Sequence, residues 1–250
     1  MIKVIRPDIP LLVPIAEVEL LIFLLDSSTS MASQKTFSGK TKSQVLFFFV
    51  ENLLNRLAKS SKNPAFRISL IYFSDLVISL KYNNRFKYYF VKNALKILKE
   101  PFDVIPGGAT AIGDAFIEAK KILDIFSRDE GLPSVKRATI FLFTDGRENI
   151  MSHDHLISIV DDVKSHIVPP SVATISLGQD ADKDLLIELA SRPNGDQLRH
   201  LEVAGLCDYL EVSNKLFIEA HEGDKLTKKR IEILRNFVET LSETMKRQGK

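Results

Sequence analysis

The feature that most constrains the fold is an apolar run at residues 18–25, which is interrupted only by Glu19 and ends at Asp26. A strand with one face in water alternates apolar and polar residues. A near-continuous run is typical instead of a strand buried on both faces, as in parallel sheets. Such a strand needs helices packed above and below it. The run therefore predicts an α/β protein, in which Asp26 follows the carboxyl end of the first strand.

Strand and helix patterns alternate along most of the chain. We predict further strands at residues 66–73, 76–80, 138–143, 171–177 and 200–203, and helices at residues 41–60, 86–98, 112–126, 156–167, 182–190 and 206–220. Asp154 is a plausible N-cap for the fourth of these helices. Only Ser74 and Asp75 separate the second strand from the third. Because two residues cannot form a parallel crossover, this pair should be an antiparallel hairpin.

These patterns predict an open, mostly parallel six-stranded sheet with one antiparallel edge strand and helices on both faces. In such sheets, functional sites lie beyond the carboxyl ends of the strands, where the winding direction reverses. The first and fourth strands are the expected flanks of that reversal. Each is followed by a loop with an aspartate, at residues 26–30 and 144–146, and a glycine-rich loop at residues 107–114 could reach them.

These three loops offer mainly oxygen ligands, from two carboxylates and several hydroxyls. Zinc and copper prefer nitrogen or sulfur ligands, so Mg²⁺, Mn²⁺ or Ca²⁺ is implied. His153 and His155 follow a few residues later, and we expect both to be exposed polar residues. Asp114 is expected to be a first-turn charge of a helix. Taken singly, each loop could be an ordinary turn or cap, and a rigid structural turn therefore stays an alternative.

The motifs resemble the metal-ion-dependent adhesion site (MIDAS) of von Willebrand factor A domains. They are Asp26-x-Ser28-x-Ser30, Gly108-Ala109-Thr110 and Asp145-Gly146. The resemblance covers residues 18–220 and implies a Rossmann-like fold. It implies that Ser28, Ser30 and Thr110 contact the metal, while Asp26 and Asp145 act mostly through water. The family usually has glycine where this chain has Thr29, which should not impair metal binding.

The resemblance also implies a function in protein binding. An acidic side chain of a partner protein would complete the metal's coordination shell, so the chain is expected to act as an adaptor in a signalling complex. We expect no enzymatic activity. The alternative is a metal-dependent phosphohydrolase that uses Asp26 as its nucleophile. Such enzymes normally carry a second Asp two residues later as a general acid, and here that position is Ser28.

Composition limits the other classes of partner and compartment. The chain has 34 Lys and Arg against 32 Asp and Glu, a balance that argues against nucleic acid as the main partner. Its one cysteine, Cys207, cannot form an internal disulfide, and the sequence gives no sign of an oxidising compartment. The apolar stretch at residues 9–25 is too short and too interrupted to span a bilayer. We therefore expect a soluble, cytoplasmic protein.

The chain changes character near Gly223. We assign residues 1–222 to one domain and residues 223–250 to a C-terminal helical extension. Apolar residues in the extension alternate three and four apart, at Ile231, Leu234, Val238, Leu241 and Met245. This helix either packs on its own domain or contacts a partner or a second protomer.

Overall fold

A computed structural model describes residues 17–33, 40–60, 62–84, 87–145, 148–177, 181–191 and 200–203. Its strands are β1 (Glu17–Asp26), β2 (Phe66–Phe73), β3 (Val77–Ser79), β4 (Val135–Thr144), β5 (Pro170–Leu177) and β6 (His200–Val203). They pair in the order β3-β2-β1-β4-β5-β6, and only the β2–β3 pair is antiparallel. The prediction of a mostly parallel sheet with an antiparallel edge strand is confirmed. The winding reverses between β1 and β4, as predicted.

The helices are α1 (Thr29–Ser33), α2 (Lys42–Lys59), α3 (Val91–Ile97), α4 (Pro101–Val104), α5 (Ile112–Arg128), α6 (His153–Lys164) and α7 (Lys183–Leu189). Within the described ranges, no helix has the length and apolar character needed to cross a membrane. The predicted helix at residues 206–220, the extension at residues 223–250 and Cys207 lie outside the described residues.

The strand β1 is the centre of two hydrophobic layers. Leu20, Ile22 and Leu24 point to one face and pack with the apolar sides of α5, α6 and α7. Leu21, Phe23 and Leu25 point to the other face and pack with α2 and α3. All six side chains are buried. Because consecutive side chains of a strand point to opposite faces, only a continuous apolar run can fill both layers.

Two local predictions were wrong. The helix predicted at residues 86–98 begins only at Val91, because Tyr89 instead pairs with Ile68 through two backbone hydrogen bonds of 2.8 and 3.0 Å. Helix α6 begins at His153 after Ser152 as the N-cap residue, so Asp154 lies in the first turn and is not the cap. An acidic residue there still favours the helix, because the helix dipole is positive at that end.

The start of helix α2 has a complete capping box. The hydroxyl of Thr41 accepts a hydrogen bond from Gln44 N (3.1 Å), and Thr41 N donates to Gln44 Oε1 (3.2 Å). We expect Thr41→Ala to lower the free energy of unfolding by about 1 kcal/mol, because it leaves a helical N–H without its acceptor. Urea denaturation measures this loss. Thr41→Ser keeps the hydroxyl and is the matched control; an equal loss in both variants would contradict a capping role.

Candidate metal site at the carboxyl ends of β1 and β4

Asp26 lies at the end of β1 and is completely buried. Its Oδ1 accepts a hydrogen bond from Ser28 N at 2.7 Å, which shapes the turn that leads into α1. Its Oδ2 accepts a hydrogen bond from the hydroxyl of Thr144, the last residue of β4. The carboxylate is thus fixed both by its own loop and by the neighbouring strand. Its oxygens can orient water molecules or accept further donors, since each has two lone pairs.

The hydroxyls of Ser28 and Ser30 continue this cluster toward β4. Their Oγ atoms lie 3.0 Å apart, and Ser30 Oγ donates to Asp145 Oδ1 at 2.7 Å. Asp145 directly follows β4, and it is almost completely buried. Four of the five predicted site residues therefore lie in one hydrogen-bonded cluster that joins the ends of two adjacent strands.

The loop that carries Thr110 joins the cluster through its backbone. Ser28 and Gly107 form a parallel β-bridge, and Gly107 O accepts hydrogen bonds from both the N–H and the hydroxyl of Thr29 (2.7 and 2.9 Å). Gly107 is required here because a Cβ would lie 2.4 Å from the Oγ of Ser74. At the other end of the loop, Thr110 N donates to the Asn149 side chain at 2.9 Å. Thr29, the departure from the usual glycine, therefore contributes a contact between two loops.

Three residues of this site were not found from the sequence. Asn149 holds Thr110, as just described, and Glu148 accepts hydrogen bonds from Gly113 N (2.9 Å) and Ile150 N (2.7 Å). Both residues connect the segment after β4 to the start of α5.

The third is Lys42, the first residue of α2, whose Nζ lies 2.7 Å from Asp145 Oδ2. Polar residues after a strand are ordinary in surface loops, and a lysine near the start of a helix is also ordinary. Neither pattern therefore pointed to a site.

The electrostatics of the cluster are unusual for Asp26. Burial raises the pKa of its carboxyl, and the charge of Asp145 also raises it, whereas hydrogen bonds from Thr144 and Ser28 lower it. The net pKa is about 6. A buried carboxyl with a raised pKa indicates that the ionised form is poorly compensated. A cation bound near Asp26 would supply that compensation.

The donor set fits a hard divalent cation. It has two carboxylates and three hydroxyls, and oxygen ligands are those that Mg²⁺, Mn²⁺ and Ca²⁺ prefer. Over the described residues, no group of three or more His, Cys, Asp or Glu side chains could hold a metal ion. His153 and His155 are exposed, and Asp114 lies in the first turn of α5, all as predicted. A metal here would therefore depend on hydroxyl ligands.

Solved structures of several proteins share this fold. Proximal thread matrix protein 1 of the mussel byssus has 21% sequence identity and a TM-score of 0.58, over 80% of this chain and 47% of that chain. The manganese-loaded TRAP protein of Plasmodium vivax has 18% identity and a TM-score of 0.54, over 80% of this chain and 73% of that chain. A further structure of the mussel protein has a zinc-occupied MIDAS motif, with 19% identity and a TM-score of 0.53, over 89% of this chain and 46% of that chain.

The chain spans about half the length of the mussel protein, and at these identities the likeness concerns the fold alone. No curated protein matches the chain. The family model of the von Willebrand factor type A domain matches residues 21–203, a range that contains β1 to β6 from Leu21 onward and all three loops of the candidate site. The chain therefore belongs to the von Willebrand factor type A domain family.

Proposed function

We propose that this domain binds one divalent cation and uses it to bind an acidic side chain of a partner protein. The residues that would hold the cation are Asp26, Ser28, Ser30, Thr110 and Asp145. Mg²⁺ is the first candidate, with Mn²⁺ and Ca²⁺ as alternatives. The observation that carries the proposal is the hydrogen-bonded cluster of Asp26, Ser28, Ser30 and Asp145, of which only Ser30 is partly exposed. The Thr110 loop is joined to this cluster through Gly107.

The charges of the cluster support an acidic partner. Two carboxylates contribute −2 and the Lys42 ammonium contributes +1, so a divalent cation would bring the cluster to about +1 by this simple sum. The neutral hydroxyls of Ser28, Ser30 and Thr110 do not reduce that charge. A carboxylate from outside would neutralise it, and it would bind as a direct ligand of an electrophilic cation.

The surroundings of Asp26 support a binding role over catalysis. A nucleophilic carboxylate must approach its substrate, but Asp26 is completely buried, and its two oxygens accept hydrogen bonds from Ser28 N and Thr144. The general acid that an aspartyl phosphohydrolase needs two residues later is also replaced by Ser28. We therefore propose that the protein is not an enzyme and that it serves as an adaptor in an intracellular signalling or regulatory complex. The cytoplasmic location stays a prediction from composition.

The metal site is tested with Thr110→Val, which replaces the hydroxyl by a methyl group of similar size. We expect this variant to bind Mg²⁺ and Mn²⁺ at least tenfold more weakly than the wild type in calorimetric titrations, because a direct ligand is lost. Thr110→Ser keeps the hydroxyl and should stay close to the wild type. Absence of binding by the wild type, or equal binding by Thr110→Val, would contradict the site.

The adaptor role is tested by affinity capture with the full chain as bait, in Mg²⁺ and in EDTA. A partner that binds through the cation should be retained by the wild type and Thr110→Ser in Mg²⁺ and lost in EDTA or with Thr110→Val. If the partner is captured equally well in EDTA and with Thr110→Val, the result would favour a scaffold in which the three loops are only rigid turns.

A further inference from the structure

Lys42 is a buried lysine at a position where its charge does not help its own helix. It is the first residue of α2, and cations near a helix N-terminus are unfavourable because that end of the helix dipole is positive. Lysine is almost never fully buried unless it is paired. Only 7% of the Lys42 side chain is exposed, whereas Lys40, two residues earlier, is an exposed residue whose ammonium lies over the ring of Phe48.

The position of Lys42 is explained by Asp145. Its Nζ donates to Asp145 Oδ2 at 2.7 Å, and the Asp145 side chain is completely buried. The other oxygen of the same carboxylate, Oδ1, accepts the hydrogen bond from Ser30 Oγ. The ammonium therefore contacts the same carboxylate that the proposed cation site requires. Two positive charges that depend on one buried carboxylate compete for it, because Coulomb interactions are only weakly screened in such surroundings.

We propose that Lys42 is an internal counter-charge that lowers the affinity of this site for divalent cations and stabilises the Asp145 end of β4 when no cation is bound. The proposal rests on the metal site proposed above. Under it, the domain is stable without metal, and it binds a divalent cation more weakly than its five oxygen ligands alone would allow. Lys42 thereby determines the concentration range over which the site is filled.

The inference is tested with three variants of the full chain. Lys42→Met removes the charge and keeps an unbranched side chain, Lys42→Arg keeps the charge, and Lys59→Met removes the same charge from the exposed, opposite end of α2. We expect Lys42→Met to bind Mn²⁺ and Mg²⁺ at least tenfold more tightly than the wild type in calorimetric titrations. Lys42→Arg and Lys59→Met should stay within about threefold of the wild type.

Thermal unfolding supplies a second measurement, which distinguishes the proposed role of Lys42 from a purely structural one. In EDTA, Lys42→Met should have a lower Tm than the wild type, because Asp145 loses a charged partner. Addition of Mn²⁺ should raise the Tm of Lys42→Met by more than that of the wild type. If Lys42 mattered only for packing, Lys42→Met would lower the Tm equally in EDTA and in Mn²⁺ and would leave the affinity for the cation unchanged. That result would overturn the inference.

The outcomes separate this inference from the proposed function. Equal or weaker metal binding by Lys42→Met, beside a wild type that binds, would overturn the role of Lys42 and leave the metal site intact. No binding by any variant, together with no effect of Mn²⁺ on any Tm, would overturn the metal site itself. If Lys42→Met does not fold, Lys42→Gln removes the same charge with a polar side chain, and the same increase in affinity is expected.

Discussion

Asp145→Ala should lower the free energy of unfolding in EDTA by about 3–5 kcal/mol, because it removes the carboxylate that a buried ammonium contacts. Lys42 Nζ lies 2.7 Å from Asp145 Oδ2, and neither side chain is more than 7% exposed. The variant also removes the acceptor of the Ser30 hydroxyl. Urea denaturation at pH 7 measures the loss.

The control for this prediction is the double variant Asp145→Ala/Lys42→Met, which removes both charges. It should lose less stability than the sum of the two single variants, with a coupling of about 1–3 kcal/mol, as expected for residues in direct contact. Strictly additive losses would show that the ammonium finds water when Asp145 is absent, and the pair would then contribute little to stability.

Asp26→Asn should gain stability relative to the wild type in EDTA as the pH rises from 4 to 7. The pKa of Asp26 in the folded state is raised from 3.8 to about 6, chiefly by burial. Between pH 4 and 6, the folded chain therefore keeps a proton on Asp26 that the unfolded chain has already released. Stability contributed by this proton is present below pH 4 and is lost as the pH rises through 6. The loss corresponds to about 3 kcal/mol at pH 7, and asparagine avoids it because it carries no charge. The asparagine amide cannot accept both hydrogen bonds, from Ser28 N and Thr144, but that cost is the same at every pH.

The measurement is the free energy of unfolding in EDTA at pH values from 4 to 7, for the wild type and Asp26→Asn. The stability of Asp26→Asn relative to the wild type should rise across this interval. Asp103→Asn, at an exposed residue of α4, is the matched control and should follow the wild type. In saturating Mn²⁺ at pH 7 the wild type should gain more stability than Asp26→Asn, because only the wild type has the Asp26 carboxylate in the cation site. Parallel curves would contradict a buried, poorly compensated Asp26.

Much of the fold could be predicted because the apolar run at residues 18–25 is compatible with few structures other than a central strand. A continuous apolar run before an aspartate predicts a central parallel strand, and β1 has that place, with α5 on one face and α2 on the other. The short turn after Phe73 predicted the hairpin for a similar reason, since two residues allow no crossover. Both predictions depended on local patterns that admit few alternatives.

The residues of the candidate site could be named from the sequence, but their contacts with other parts of the chain could not. Oxygen side chains at strand ends and the motif resemblance indicate Asp26, Ser28, Ser30, Thr110 and Asp145, and four of these lie in one hydrogen-bonded cluster. No sequence pattern indicates the groups that contact them from elsewhere in the chain. Lys42 lies 103 residues from Asp145 along the chain, and Asn149 lies 39 residues from Thr110. Contacts of this kind depend on how α2 and the segment after β4 pack, which propensity and periodicity do not encode. The late start of α3 was missed for the same reason, because a bridge to Ile68 overrides local helix propensity.

The sheet tapers toward both sides: β3 has three residues and β6 has four, whereas β1 and β4 have ten each. Free amide and carbonyl groups along an outer strand can recruit a foreign strand, and short outer strands present few of them. In the part of the chain that the structure describes, neither outer strand therefore offers a long ladder for aggregation by strand addition. If another polypeptide binds this domain as proposed, we expect it to contact side chains and loops at the end where the long strands stop.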